Sequence, residues 1–263
     1  MSRLIERELS QEEERENNQA VVAHLIPFVS WLTMLVWLDD PSWNYTARTL
    51  GGLVLLLILR PWRWYPRLCW KNVPLAIGVG ILIFLVWVGF ESAWMVQSFP
   101  LITEWYDRLF VDLTQPFGLR ELYDRGDGSQ VPFMVIEEGV HAGRHVYDPR
   151  VNGWLSFSVQ MVGTSVIIAM IEEFFYRGFI YRWMQGSPFY EIDAGRMSWI
   201  LLIVVSVFFA VSHVEWGAAI LCGIAFGWLY IKTKDIWAAI IAHGVTNFIL
   251  GWYVVLFDAY QYW

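Results

Sequence analysis

The sequence predicts an all-α fold: a polytopic transmembrane helical bundle of about seven spans with a cytoplasmic N-terminus. Three observations predict it. Hydrophobic residues fill 57% of the 263 positions and charged residues 16%, against about 45–50% and about 25% in soluble domains. Mean hydropathy is +0.43. The charges are also absent from a series of windows long enough to cross a bilayer, which takes about 20 mostly apolar residues as helix. The same numbers exclude a disordered chain. Two cysteines, Cys69 and Cys222, exclude a disulfide framework. A net charge of −7 excludes a nucleic-acid partner.

Taken in order, the chain divides into an acidic N-terminal tail (1–19), three N-terminal spans (20–90), an extracytoplasmic loop (91–153), a four-helix core (154–257) and a C-terminal tail (258–263). The tail carries Glu6, Glu8, Glu12, Glu13, Glu14 and Glu16, the opposite of a basic signal-peptide start, and predicts a short solvated helix. Residues 17–38 are free of charge and give span one. Span two is the weakest, because 49–59 lies between Arg48 and Arg60; snorkelling arginines with Tyr45, Trp62 and Trp64 extend it to the interfaces. Spans three to seven follow from charge-free residues 72–90, 151–171, 197–214, 216–231 and 236–257.

Lys and Arg in short loops set orientation. Arg60, Arg63, Arg67 and Lys71 follow span two, Arg177, Arg182 and Arg196 follow span four, and Lys232 and Lys234 follow span six. All fall on one side if the N-terminus is cytoplasmic, and the expected location is a bacterial inner (plasma) membrane. The 91–153 loop then lies outside, with ten acids and five arginines. Its stretch from Trp94 to Leu113 predicts an interfacial helix, and Gly126, Gly128, Pro132, Gly139 and Gly143 predict turns.

An ionisable side chain at bilayer depth costs at least about 2.5–3.5 kcal/mol, so it is a functional candidate by default. Span four runs into Glu172, Glu173 and Arg177; span five ends at Phe209 and His213; span seven holds His243 and Asn247. Glu173 and Arg177 are i, i+4 and can pair, as His243 and Asn247 share a face. Glu172 points about 100° from Glu173 and is free to face a partner helix. Glu and His together can take a proton from water and return it to a leaving amine. A second His and an Asn amide can stabilise an oxyanion. The same carboxylate and imidazoles are also legitimate zinc ligands. Both chemistries converge on amide hydrolysis by activated water. Ser212 adjoins His213, but neighbouring residues on a helix do not face each other, so no nucleophile–base pair is expected. Depth sets a constraint: at 1.5 Å per residue Glu172 lies about 15 Å below Arg182, His213 about 21 Å below Trp199 and His243 about 9 Å below Trp237. The three must nevertheless meet.

The ordered trio Glu172-Glu173-x-x-x-Arg177, Phe209-x-x-x-His213 and His243-x-x-x-Asn247 resembles the signature motifs of the CPBP intramembrane proteases. That family includes the type II CAAX prenyl endopeptidases and bacteriocin-processing and immunity proteins. The resemblance covers about residues 154–257. It implies an intramembrane endopeptidase in which Glu172 activates water, His213 and His243 are catalytic, Asn247 stabilises the oxyanion, and Glu173 and Arg177 brace the site. It implies no cofactor in a metal-free glutamate mechanism, or one divalent metal, zinc, at Glu172, His213 and His243 in a metalloprotease. The expected partners are the lipid bilayer and a membrane protein or lipid-anchored peptide as substrate. Glu191-Ile192-Asp193 and the Trp-rich N-terminal half resemble the exosortase-associated subgroup, which implies a protein-sorting system as partner.

Other polar groups have simpler readings. Glu137, Glu138, His141 and His145 have metal-like spacing, but the flanking glycines oppose a helix. His24 is expected to hydrogen-bond between helices. Glu215 is expected at the outer interface, and Gly223 with Gly227 form a small-xxx-small packing stripe. The competing functions are a non-catalytic scaffold or immunity-type protein of the same fold, and a small transporter using the same Glu and His.

Overall fold

Helices form where charge is absent. The computed structural model describes residues 10–38, 41–90, 93–112, 122–124, 130–132, 148–213, 215–259 and 262. Helix α1 is Gln11–Trp37. It starts at a capping box in which Ser10 Oγ accepts from the Glu13 backbone N–H and the Glu13 carboxylate accepts from the Ser10 N–H. The acidic stretch and span one are therefore one continuous helix, not a short helix followed by a span. No breaker separates them, and Pro27 is accommodated within it.

Helix α2, Pro41–Leu59, has 19 residues, longer than its charge-free window because Pro41 can occupy a first helical turn. Its Arg48 does not snorkel. It is 6% exposed, with its guanidinium 4.7 Å from the Tyr45 ring centre and 5.4 Å from that of Trp31; cation–π contact replaces exposure. Helix α3 is Val73–Gly89. The 91–153 segment gives two short helices, α4 (Ala93–Ser98) and α5 (Pro100–Tyr106), the latter continued by a wider π turn to Asp112. The one exception to an all-α chain among the described residues is a hairpin of β1 (Leu122–Asp124) against β2 (Gln130–Pro132). Glu137, Glu138, His141 and His145 lie outside the described residues.

Helix α6, Pro149–Trp183, runs through the centre with π-helical turns at Gly163–Ile168 and Phe174–Ile180. Gly153, at φ +80°, kinks its start, a backbone open to glycine. Helix α7, Trp199–Ala210, is shorter than its charge-free window. It ends in a turn, with the N–H groups of Ser212 and His213 donating to the Phe209 and Ala210 carbonyls. Helices α8 (Trp216–Thr233) and α9 (Ile236–Phe257) complete the bundle. Among the described residues five helices are long and apolar enough to cross a membrane, and Trp43–Leu59 and Trp199–Ala210 are shorter apolar helices. They follow the seven windows in order. The molecule is an integral membrane protein with a polytopic helical-bundle fold.

Small residues bring the helices together. Gly223 and Gly227 of α8 face Ser206 and Leu202 of α7, confirming the packing stripe. Gly80 of α3 lies so near α9 that a Cβ would sit 2.5 Å from the Ala242 carbonyl oxygen, and the Gly80 carbonyl accepts from Thr246 Oγ1 at 2.9 Å. His24 bonds to its own helix and to a loop rather than to another helix: Nδ1 donates to the Ala20 carbonyl at 2.6 Å and Nε2 accepts from Tyr65, in the stretch after α2, at 2.9 Å. Glu215 stands at the head of α8 and is 5% exposed; two residues on, Tyr106 and Phe110 pack on Gly217.

Gly80→Ala is expected to lower the thermal midpoint in detergent, with a cost of about 1–3 kcal/mol from overpacking against backbone. Gly78→Ala, whose Cβ meets nothing within 4 Å, should leave it unchanged.

Candidate active site

The site is built around one buried carboxylate. Glu173 is fully buried, on the α-helical turn of α6 between its two π turns. Its Oε1 accepts from Arg177 Nη1 at 2.8 Å and from His243 Nδ1 at 2.9 Å. Arg177 also donates from Nη2 to the Gly223 carbonyl of α8 at 3.2 Å, and its guanidinium lies 4.6 Å from the Phe209 ring centre. One ion pair thus joins α6, α8 and α9, with α7 covering it. Glu173 Oε2 has no hydrogen-bond partner.

The tautomer of His243 follows. A carboxylate paired to arginine only accepts, so Nδ1 must carry the ring proton. Nε2 is then turned towards Glu172, whose Oε2 lies 3.8 Å away. That is too long for a direct hydrogen bond, and Glu172 Oε2 is itself without a partner. Phe226 stacks on the imidazole at 5.1 Å between centres and 18° between planes, fixing the ring plane.

Glu172, His213, His243 and Asn247 all line one cavity of about 170 Å³, together with Trp87, Thr164, Phe209 and Phe226. The predicted difference in depth does not separate them: all four line the same cavity, with His213 on the turn beyond the end of its helix. Glu173 and Arg177 stand behind this wall rather than in it. His213 donates Nδ1–H to the Phe209 carbonyl at 2.8 Å. In the neutral ring its Nε2 is therefore an acceptor, so the expected role as an oxyanion donor holds only for the protonated ring. Asn247 donates one N–H to the Thr164 carbonyl at 2.9 Å and keeps its second.

Ser212 Oγ lies 3.2 Å from His213 Nδ1, contrary to expectation. The helix ends at Ala210, so the helical rule that separates neighbours no longer applies. Ser212 Oγ donates to the Phe209 carbonyl at 2.9 Å, and His213 Nδ1 donates there too, so this contact is not a nucleophile held by a base.

The zinc alternative can be tested on the donor atoms. Glu172 offers a carboxylate oxygen without a partner, and both Nε2 atoms are bare when their rings are neutral. Among the described residues, however, no three His, Cys, Asp or Glu side chains converge as a metal-holding group. Glu172, His213 and His243 do not fit a three-ligand metal in this arrangement.

Three contributors escaped the sequence reading. Phe226 has no signal in a helix rich in apolar residues. Thr164 is one of two adjacent hydroxyl residues about two turns before Glu172, with nothing to mark it from Ser165, and Trp87 comes from a span outside the motifs. The Phe209 spacing to His213 was the legible part.

A long buried helix with paired carboxylates thus faces one histidine on a neighbouring helix and another on the turn after a second helix. Residues 154–249 match the family model described as Rce1-like, type II CAAX prenyl endopeptidase Rce1-like. No curated protein and no solved structure matches the chain. The matched segment holds all six candidate residues. Over that segment the chain is similar to Rce1-like domains, which is consistent with the CPBP family and with an intramembrane CAAX-type protease fold. The match does not reach the exosortase-associated subgroup.

Arg177→Ala is expected to destabilise the protein by about 3–5 kcal/mol, since it leaves a buried carboxylate uncompensated. Thermal unfolding in detergent measures this, and adding Glu173→Gln to that variant should recover part of the loss.

Proposed function

We propose that the protein is an intramembrane endopeptidase that hydrolyses a peptide bond with water activated by Glu172 and His243. The single observation behind this reading is the 3.8 Å gap between Glu172 Oε2 and His243 Nε2 on a cavity wall, with the imidazole locked from behind by Glu173. Both facing atoms are acceptors when Glu172 is ionised and His243 neutral. A water on the cavity side of the pair would donate one hydrogen to each and turn its lone pair towards a substrate carbonyl. Glu172 then takes a proton as the oxygen bonds to the carbonyl carbon. The free N–H of Asn247 meets the oxyanion. Glu172 returns the proton to the leaving amine as the C–N bond breaks. The hydroxyl ends on the new carboxylic acid and the hydrogen on the new amine, so the water is fully accounted for.

The bare Nε2 of His213 suits a proton acceptor at the other side of the cavity, and on protonation it becomes a second oxyanion donor. The substrate is a membrane-anchored or membrane-proximal polypeptide, and a prenylated tail is the class named by the matched family. The scaffold and transporter readings have weaker support. The scaffold gives no use to a carboxylate oxygen without a partner facing an oriented imidazole, and the transporter gives none to Asn247 beside them in the cavity.

Glu172→Gln and His243→Ala should each lower cleavage of a quenched peptide library by at least about 10²-fold, the usual scale for an acid–base group. Both should retain the thermal midpoint to a greater degree than Arg177→Ala. Cleavage equal to wild type in both removes the hydrolase reading. Loss of wild-type activity with a chelator, restored by zinc, would replace the metal-free mechanism.

A further inference from the structure

The two ends of the bundle differ in charge, and the cavity reaches towards one of them. At the basic end, the loops around 60–72, 184–198 and 232–236 are tied together. Asp235 accepts from the Cys69 N–H and from Asn72, each at 3.1 Å. Trp237 Nε1 donates to the Pro66 carbonyl at 3.0 Å, and Lys234 Nζ donates to Asp193 at 3.0 Å. The Asp193 carboxyl is held below its ordinary range by the Gly195 N–H and by Lys234. This end carries Arg60, Arg63, Arg67, Lys71, Arg182, Arg196, Lys232 and Lys234. By the charge rule for short loops it is the cytoplasmic end.

At the opposite end Phe90 stacks on Tyr106 at 4.2 Å, the Ala218 N–H donates to Tyr106, and Arg150 pairs with Asp258. The cavity lining is polarised between these ends. Glu172, His243 and Phe226 form its floor and are 7%, 4% and 1% exposed. Trp87, His213 and Tyr262 come from the end of α3, the turn after α7 and the stretch after α9, and all are part-exposed. No lining residue belongs to the three basic-end loops. On that side the space is filled by aromatic rings: Tyr65 and Trp237 pack on Phe174, and Phe179 packs on Phe189.

We infer that the cavity admits its substrate from the extracytoplasmic face, so that the substrate is an exported, membrane-anchored polypeptide rather than a lipidated tail in the cytosol. This rests on the hydrolase reading for the word substrate, but the direction of opening does not. The rim and walls present Trp87, Ile168, Phe209 and Leu250, which favour an apolar side chain beside the scissile bond.

The test reads accessibility of the full chain in its membrane. In a Cys69→Ser, Cys222→Ser background, Thr164→Cys and Trp87→Cys place reporters in the cavity wall and at its rim, and Arg67→Cys places one in a basic loop. A membrane-impermeant charged thiol reagent is added to sealed spheroplasts and to inverted vesicles. Thr164→Cys and Trp87→Cys should react at least tenfold faster in spheroplasts, and Arg67→Cys at least tenfold faster in inverted vesicles. Faster reaction of the cavity cysteines in inverted vesicles, or no reaction of either from either side, overturns the inference. A vesicle-impermeant quenched peptide supplied to each preparation reads the hydrolase separately. Outer-face labelling without Glu172-dependent cleavage on either side removes the peptidase reading and leaves the opening in place.

Discussion

A carboxylate with no access to solvent, shared between an arginine and an imidazole, is the constraint on which the rest of this structure depends. Glu173 and Arg177 are both buried, and each would stand uncompensated without the other. Their pairing recruits the Gly223 carbonyl from α8 and His243 from α9. Interhelical contacts in lipid depend on close packing and on satisfied polar groups, because apolar side chains gain little by leaving apolar lipid. The glycines at 80 and 223 let the helices approach closely enough for these bonds to form.

The same pairing prepares chemistry. Because Glu173 fixes the proton on Nδ1, the opposite nitrogen of His243 is presented to Glu172 in one orientation, and Phe226 prevents the ring from turning away. Glu172 contributes differently. It lines the cavity, and one of its oxygens has no partner. One glutamate thus holds the site together while its neighbour faces the space where a substrate would lie. The i, i+4 geometry of Glu173 with Arg177 makes that division of labour possible, since it draws one carboxylate backwards and leaves the adjacent one, about 100° around the helix, to face the cavity.

Much of this was legible from residue order. The spans were readable because charge is costly in hydrocarbon, and the candidate residues were readable for the same reason. Less legible were features set by backbone geometry. The end of α7 at Ala210 lies inside a charge-free window, so nothing in the composition marks it; it moved His213 off the helix and brought Ser212 beside it. The tautomer of His213 depends on a bond to its own upstream carbonyl, which no side-chain pattern encodes. Arg48 looked like a residue reaching for the interface, and only the packed fold reveals two aromatic rings around it. Trp87 joined the cavity through the packing of α3 on α9, a long-range contact that local periodicity does not carry.

The proton on His243 is the decisive quantity, since both the bracing and the chemistry follow from it. Nitrogen NMR of histidine-labelled protein in lipid, with His243 assigned by its loss in His243→Ala, reports which ring nitrogen is protonated. A protonated Nδ1 that becomes exchange-broadened or shifts in Glu173→Gln is the expected result. A bare Nδ1 with the proton on Nε2 would mean that Glu173 does not orient the ring, and the shared-carboxylate design would not stand.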